Sequence, residues 1–326
     1  MKNEPAFQMV IDALLNAQTS FPARYLRLFA DLEPASLKLV LDAWPKVAAR
    51  RKQALLEDLK DLAEADILTN FDDLGRALLA DPDAPVRVQA TRLLWECNNP
   101  KLVPVFLKAM QADESPDVRA ASATALGLFI YLGELEEIPS KIHHAVEDAL
   151  LKAAASKEPT LVRRRALEAL GFSSRPQVPP LIEAAIHQKD TEWVESALFA
   201  MGRSSDERWE KEILPRLRHE NEDIRREAIA AAGEIGLPPA RKALLDLLED
   251  EEDLEIRRQA IWALSKIGGE GVHARLEELL EAEADDEEAE FIEEALENLI
   301  LVEGLNELDM FEFDPDADLH EEENDD

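Results

Sequence analysis

The sequence predicts an all-α chain organised as an α-solenoid, a superhelix of stacked helix hairpins. Two observations carry this. The composition is 46% hydrophobic with only 11 Gly and two Tyr among 326 residues, and its wealth of Ala, Leu, Glu and Arg favours helix over strand. One short amphipathic segment also recurs along most of the chain, which is how a repeat architecture announces itself.

The recurring segment reads VRVQATRLLW from 86, VRAASATALG from 118, VRRRALEALG from 162, WVESALFAMG from 193, IRREAIAAAG from 224, IRRQAIWALS from 256 and FIEEALENLI from 291. Successive copies start 32, 44, 31, 31, 32 and 35 residues apart. Four positions after the start stands a small residue (Ala90, Ser122, Ala166, Ala197, Ala228, Ala260, Ala295), and eight after it Leu94, Leu126, Leu170, Met201, Ala232, Leu264 or Leu299. Offsets of 0, 4, 7 and 8 share one face of a helix, and the small residue admits a close neighbour. A second amphipathic segment precedes most copies, as in PKLVPVFLKAM, VPPLIEAAIHQ and ARKALLDLLED. Each unit is therefore a hairpin of two helices. A hairpin this short cannot bury its own apolar face, so successive units are expected to stack on a shared core, about 70 Å long for seven units at 8–10 Å per helix layer.

Taken in order, residues 1–69 are expected to be a helical capping region of degenerate repeats, since RRKQALLEDL from 50 echoes the pattern. Residues 70–302 hold about seven repeats. The long 118-to-162 interval places extra residues in IYLGELEEIPSKIHH, 130–144, read as a loop or additional turn. Residues 303–326 contain no Lys or Arg and little apolar surface, and are expected to form a disordered acidic tail with Phe311 and Phe313 as its anchors.

These residues resemble HEAT-like repeats of the type found in phycobilin lyases and many bacterial scaffolds. The consensus (D/E)-x-V-R-x-x-A-x-x-A-L-G is followed by Asp117-Val118-Arg119 through Gly127 and by Asp223-Ile224-Arg225 through Gly233. Val194 and Ile292 depart from it where Arg is usual. The resemblance covers residues 70–300 and implies fold; the family includes scaffolds, enzymes and adaptors, so it implies no single activity.

Arg87, Arg119, Arg163, Arg225 and Arg257 share the second position of the repeat, at the edge of the core stripe. The resemblance implies a structural ladder in which each meets an acidic group of an adjoining repeat; Asp117, Asp223 and Glu255 stand two residues before three of them. The third and seventh positions project away from the core, onto the surface that forms the concave face in HEAT solenoids. There stand Arg92, Arg164, Glu168, Glu195, Phe199, Arg226, Arg258 and Trp262. Arg164, Phe199, Arg226, Arg258 and Trp262 make a basic, aromatic strip of the residue types that dominate binding hot spots, and are the candidate partner-binding residues. A plain solvated helix face is the competing reading.

The formal charge of −34 is uneven: residues 270–326 carry 25 acidic and one basic side chain. Such a surface repels phosphate backbones, which disfavours nucleic acid as a partner and with it a HEAT-fold nucleic-acid-repair protein. The single Cys97 excludes an internal disulfide and reads as a buried thiol in a reducing compartment. The N-terminal MKNEPAFQMV lacks a secretory apolar run, and no stretch reaches the ~18 apolar residues of a membrane span. A cytoplasmic monomer is expected.

No HExxH, GxSxG, CxxC or phosphate-binding Gly loop occurs. A HEAT-fold hydroxylase family binds two irons through repeated His-Glu dipeptides, but only His219-Glu220 and His320-Glu321 occur here, too few for a metal's ligand set. His143-His144 reads as a polar loop edge. The expectation is thus a non-enzymatic scaffold or adaptor, without catalytic residues, cofactor or metal, binding another protein on its concave face. A bilin-lyase-like chaperone or chromophore-handling protein is the alternative.

Overall fold

The computed structural model describes residues 4–66 and 68–309. Among them the secondary structure is α-helix and short 3-10 helix, without a strand. The chain divides into two compact units, Met1–Ala185 and Ile186–Asp326. Unit 1 holds α1 (Glu4–Leu15), α2 (Pro34–Ala43), α3 (Ala49–Ala65), α4 (Asp72–Leu78), α5 (Ala84–Arg92), α6 (Val103–Ala112), α7 (Pro116–Glu134), α8 (Ser140–Ala154) and α9 (Thr160–Leu170), with α10 (Val178–Ile186) at the boundary. Unit 2 holds α11 (Thr191–Ser204), α12 (Glu210–Ile213), α13 (Glu222–Ile235), α14 (Arg241–Asp250), α15 (Leu254–Ile267), α16 (Val272–Ala282) and α17 (Asp286–Asp309).

The helix starts follow from local chemistry. Pro stands in the first turn of α5, α6 and α7, where its missing N–H costs nothing. Asn221 and Asp253 accept hydrogen bonds from the amides of Ile224 and Ile256, capping α13 and α15. α13 ends at Gly236, whose φ of +72° is a left-handed cap that favours glycine. The first helix of the α13 hairpin is broken into 3-10, α and 3-10 pieces over Glu207–Trp209, Glu210–Ile213 and Leu214–Arg216; Pro215 cannot donate to a continuous ladder.

Packing repeats within each unit. In unit 1, α4 pairs with α5, α6 with α7 and α8 with α9, while the second helices α3, α5, α7 and α9 stack in sequence. In unit 2, α12, α14 and α16 pair with α13, α15 and α17, and α11, α13, α15 and α17 stack in sequence. The repeat register places the apolar positions inward: Val118, Leu126, Val162, Ala166, Leu170, Ala228, Ala232, Ala260 and Leu264 are all buried.

Glycine sets the closest approach between second helices. A Cβ added at Gly233 would stand 2.7 Å from the Ala263 Cα and 2.8 Å from its Cβ; one at Gly202 would stand 3.1 Å from the Ala231 Cα. In these two motifs the terminal glycine thus seats on the alanine seven positions into the next copy. That contact gives the terminal Gly of the consensus a physical reason.

Three boundaries differ from the sequence reading. Residues 130–144 are mostly helical: α7 extends to Glu134 and α8 begins at Ser140, so the extra residues lengthen the two helices rather than the loop between them. Residue 69 does not divide the core, because Phe7, Phe29, Trp44, Leu56, Leu74, Val86 and Ala90 belong to one buried cluster. α17 continues to Asp309, seven residues into the expected tail, where two Leu and two Glu favour helix. The rest of that tail, with Phe311 and Phe313, lies outside the described residues.

Leu126 and Leu170 are fully buried. Replacing either by Ala is expected to cost about 2–4 kcal/mol, read as a lower urea midpoint. Gly233→Ala should cost about 1–3 kcal/mol through overpacking against α15 backbone. Gly304→Ala, in helix and open space, is the control and should stabilise α17 by about 0.5–1 kcal/mol. Equal midpoints for the two glycine variants would show that the helices do not meet at Gly233.

Candidate functional site

Three of the five ladder arginines, Arg87, Arg119 and Arg225, connect successive turns between helices. Arg87 forms a two-pronged bond to Asp113, from Nε at 2.9 Å and Nη2 at 2.7 Å, and donates from Nη1 to the Asp81 carbonyl at 2.9 Å. Arg119 donates to the Asp113 carbonyl at 2.7 Å and to Glu158 at 3.0 Å. Arg225 donates to the His219 carbonyl at 2.8 Å and pairs with Glu251 at 3.4 Å. Arg163 donates to the Ala154 carbonyl at 3.1 Å. Arg257 contributes to the field at Glu283, whose carboxyl is held below its ordinary range first by the Asp285 and Ala284 amides.

Arg87, Arg119, Arg163 and Arg225 therefore clasp their own turns by a carbonyl, and Arg87, Arg119 and Arg225 also hold the next turn by a carboxylate. The acids are Asp113, Glu158 and Glu251, not the Asp117, Asp223 and Glu255 singled out in the sequence. Those three sit in the first turns of α7, α13 and α15, where a carboxylate faces the helix N-terminus. Asp113 and Glu251 also accept the amides of Ser115 and Asp253, shaping the turns they occupy.

The series is anchored in unit 1 by a buried knot on Asp81. Its carboxylate accepts from the Trp44 indole at 2.7 Å and from Lys52 at 3.2 Å, with Lys52 lying 5.2 Å from the Trp44 ring centre. Trp44 and Lys52 come from the N-terminal region, which the sequence marked only by a faint echo of the repeat.

The candidate strip is divided between the units. In unit 1, Arg164 is only 6% exposed, so it is corrected from a surface residue to an enclosed one. A helical wheel gives the direction of a side chain but not what lies over it. In unit 2, Phe199 on α11 is 38% exposed, with the Arg203 guanidinium 4.3 Å from its ring centre. Arg226 on α13 is partly exposed and paired with Asp223 at 2.7 Å. On α15, Arg258 bonds Glu288 at 2.6 Å and lies 5.4 Å from the Phe291 ring centre, while Trp262 lies between Phe291 and Lys266 at 6.4 and 5.7 Å. The strip is less basic than its sequence implies because α17 supplies carboxylates to Arg258.

Unit 1 also carries an open groove of about 770 Å³ lined by Arg76, Leu79, Lys101, Val105 and Lys108 among others. Sequence reasoning missed it because its residues come from separate helices. Sequence reasoning likewise placed His143 on a loop edge; it is buried on α8, within 4 Å of Glu134 and Glu147. Cys97 is buried, and burial followed by a hydrogen bond with Asp72 pushes its thiol up to about 11, so it stays protonated at neutral pH.

Burial raises the Asp113 carboxyl, but the Arg87 and Ser115 bonds outweigh it and the net shift is below 3.8. The pair's contribution is therefore complete above the unfolded value and lost as pH falls through the lower folded one. Asp113→Asn should lower stability at pH 7 by about 1–3 kcal/mol, and the gap to wild type should close below about pH 4. A pH-independent gap in urea midpoints would show that the ion pair is not the cause.

Residues 71–140 and 210–297 match the family model described as HEAT repeats. No curated protein gives a significant sequence match. Among solved structures, YibA of Escherichia coli is 20% identical, with 78% of this chain and 98% of that one covered and a TM-score of 0.43. The CpcE–CpcF complex of phycocyanin lyase from Nostoc is 18% identical, covering 70% and 94%, TM-score 0.46. Human deoxyhypusine hydroxylase is 17% identical, covering 81% and 96%, TM-score 0.35. Stacked hairpins, the arginine at the second position of most of them and the match over both segments show that this chain contains HEAT repeats over residues 71–140 and 210–297.

Proposed function

We propose that the protein is a non-enzymatic adaptor that binds another protein on the exposed face of the second helices of unit 2, acting as a cytoplasmic monomer. The observation that supports this most is the aromatic and cationic side chains arrayed on α11, α13 and α15. Phe199 with Arg203 and Trp262 with Lys266 pair a broad apolar ring with a cation, a combination suited to an acidic segment that also carries apolar side chains. Rigid stacked helices hold these groups in place before a partner arrives, which lowers the ordering cost of association. On a chain of net charge −34, such a face is a local minimum of repulsion for an acidic partner. No helix of the described residues is long and apolar enough to cross a membrane.

Capture from native lysate should compare wild type with Phe199→Asp/Trp262→Asp, both checked for wild-type helicity and urea midpoint. A protein held by wild type and reduced at least tenfold by the double variant is the expected result. Equal retention of every captured protein by the two would rule out this face. Lys101→Glu/Lys108→Glu in the unit 1 groove would then report whether binding lies there.

A further inference from the structure

We infer that Glu134, His143 and Glu147 form a binding site for a first-row divalent cation, with zinc the best-matched ion. The three come from the last turn of α7 and the first two turns of α8. His143 Nε2 stands 3.6 Å from Glu134 Oε1 and 3.7 Å from Glu147 Oε1, and one ligand atom from each residue falls within 4.8 Å of the others. His143 is 9% exposed, and its Nε2 is buried without a hydrogen-bond partner among the described residues. A buried imidazole nitrogen left so, aimed between two carboxylates, is costly unless something occupies the space between them.

The distances suit a cation better than a proton. A protonated imidazole would close to about 2.8 Å on one carboxylate, whereas both contacts exceed 3.5 Å. Zinc bonds of about 2.0–2.2 Å set ligand atoms about 3.3–3.6 Å apart in a tetrahedral shell, so small side-chain movements complete three of four positions. Glu134 is the more exposed ligand, with 26% of its side chain accessible, and leaves the fourth position to water.

The surroundings orient the ligands as the outer shell of a metal site does. Ser173 Oγ donates to Glu147 Oε1 at 2.6 Å, Arg175 Nη1 to Glu147 Oε2 at 3.1 Å, and the Ser174 amide to Glu134 Oε1 at 2.9 Å. Arg175 also bonds Asp148 at 2.9 Å. The carboxylates of Glu134, Glu147 and Asp148 against the Arg175 guanidinium leave two negative charges around the imidazole, the charge that a divalent cation cancels. Gly133 makes the imidazole's position possible: a Cβ there would stand 2.2 Å from His143 Cγ and 2.3 Å from Cδ2. The metal would tie the end of α7, the start of α8 and the turn after α9, and the additional residues of the long repeat interval serve to build it.

The test uses the full chain, stripped of metal by chelator and titrated with zinc, and separately with cobalt, whose visible absorption intensifies in a four-coordinate shell. One zinc per chain, a raised Tm and a cobalt absorption band are expected for wild type. His143→Gln should abolish the band and weaken zinc binding at least a hundredfold, and Glu134→Gln at least tenfold. Gly133→Ala, which leaves all three ligands but displaces the imidazole, should also weaken binding at least tenfold. His273→Gln, on an exposed histidine, should change nothing. Equal zinc affinity in wild type and His143→Gln would assign binding to scattered surface carboxylates and overturn the site, as would no binding by wild type. Should His143→Gln alone fail to fold, Glu134→Gln and Gly133→Ala decide on the same readings.

Discussion

The rest of the structure depends on one constraint: a two-helix hairpin of about thirty residues cannot bury its own apolar stripe. Each second helix must lie on the next, and in α11, α13 and α15 the distance at which it does so is set by Gly202 on Ala231 and Gly233 on Ala263. Backbone approaches backbone at these points, tightly at Gly202 and at Gly233 with no room for a methyl group. Everything that the exposed faces present, from Phe199 to Trp262, is positioned by that contact. The arginine ladder acts at the other end of the hairpins, where the helices leave orphan carbonyls and the turns need fixing. Arg87, Arg119 and Arg225 satisfy such carbonyls and hold the following turn through an acid.

The two kinds of contact divide the labour. Apolar packing supplies most of the stabilisation and tolerates variation in side chain so long as volume is kept. The charged turns add direction, since a forked guanidinium bond to Asp113 exists at one geometry only. Lys52 and Trp44 on Asp81 show how the pattern is closed where the repeats begin. A lysine and an indole there take the part that arginine has elsewhere, within a core that already includes Phe7 and Phe29.

The long repeat interval shows how a regular scaffold acquires an individual feature. By lengthening α7 and α8 rather than their loop, the chain carries Glu134 and His143 to the same place while the repeat register continues into α9. Rigid helices, not a mobile excursion, then hold the polar cluster, and the Ser173–Arg175 turn braces it from the next hairpin. Such a cluster is isolated from the aromatic face of α11, α13 and α15 in sequence, and it draws on different residues.

Periodicity alone was enough to establish the helices, the pairing within hairpins, the inward positions such as Leu126 and Leu264, and the arginine series, because offsets of 0, 4, 7 and 8 select one helix face wherever they occur. It did not reveal which acid each arginine meets, because Asp113 and Glu251 belong to turns 26 residues away. Nor could it show that Arg164 is enclosed while Phe199 is exposed, although the two stand at outward positions of successive copies. His143 is the plainest case: nothing in its local sequence separates a polar loop edge from a buried ligand. Its role follows from Gly133, Glu134, Glu147 and Ser173 converging in space. Local sequence determines which way a side chain points along its own helix; what waits at that point belongs to other helices, and only the tertiary structure decides it.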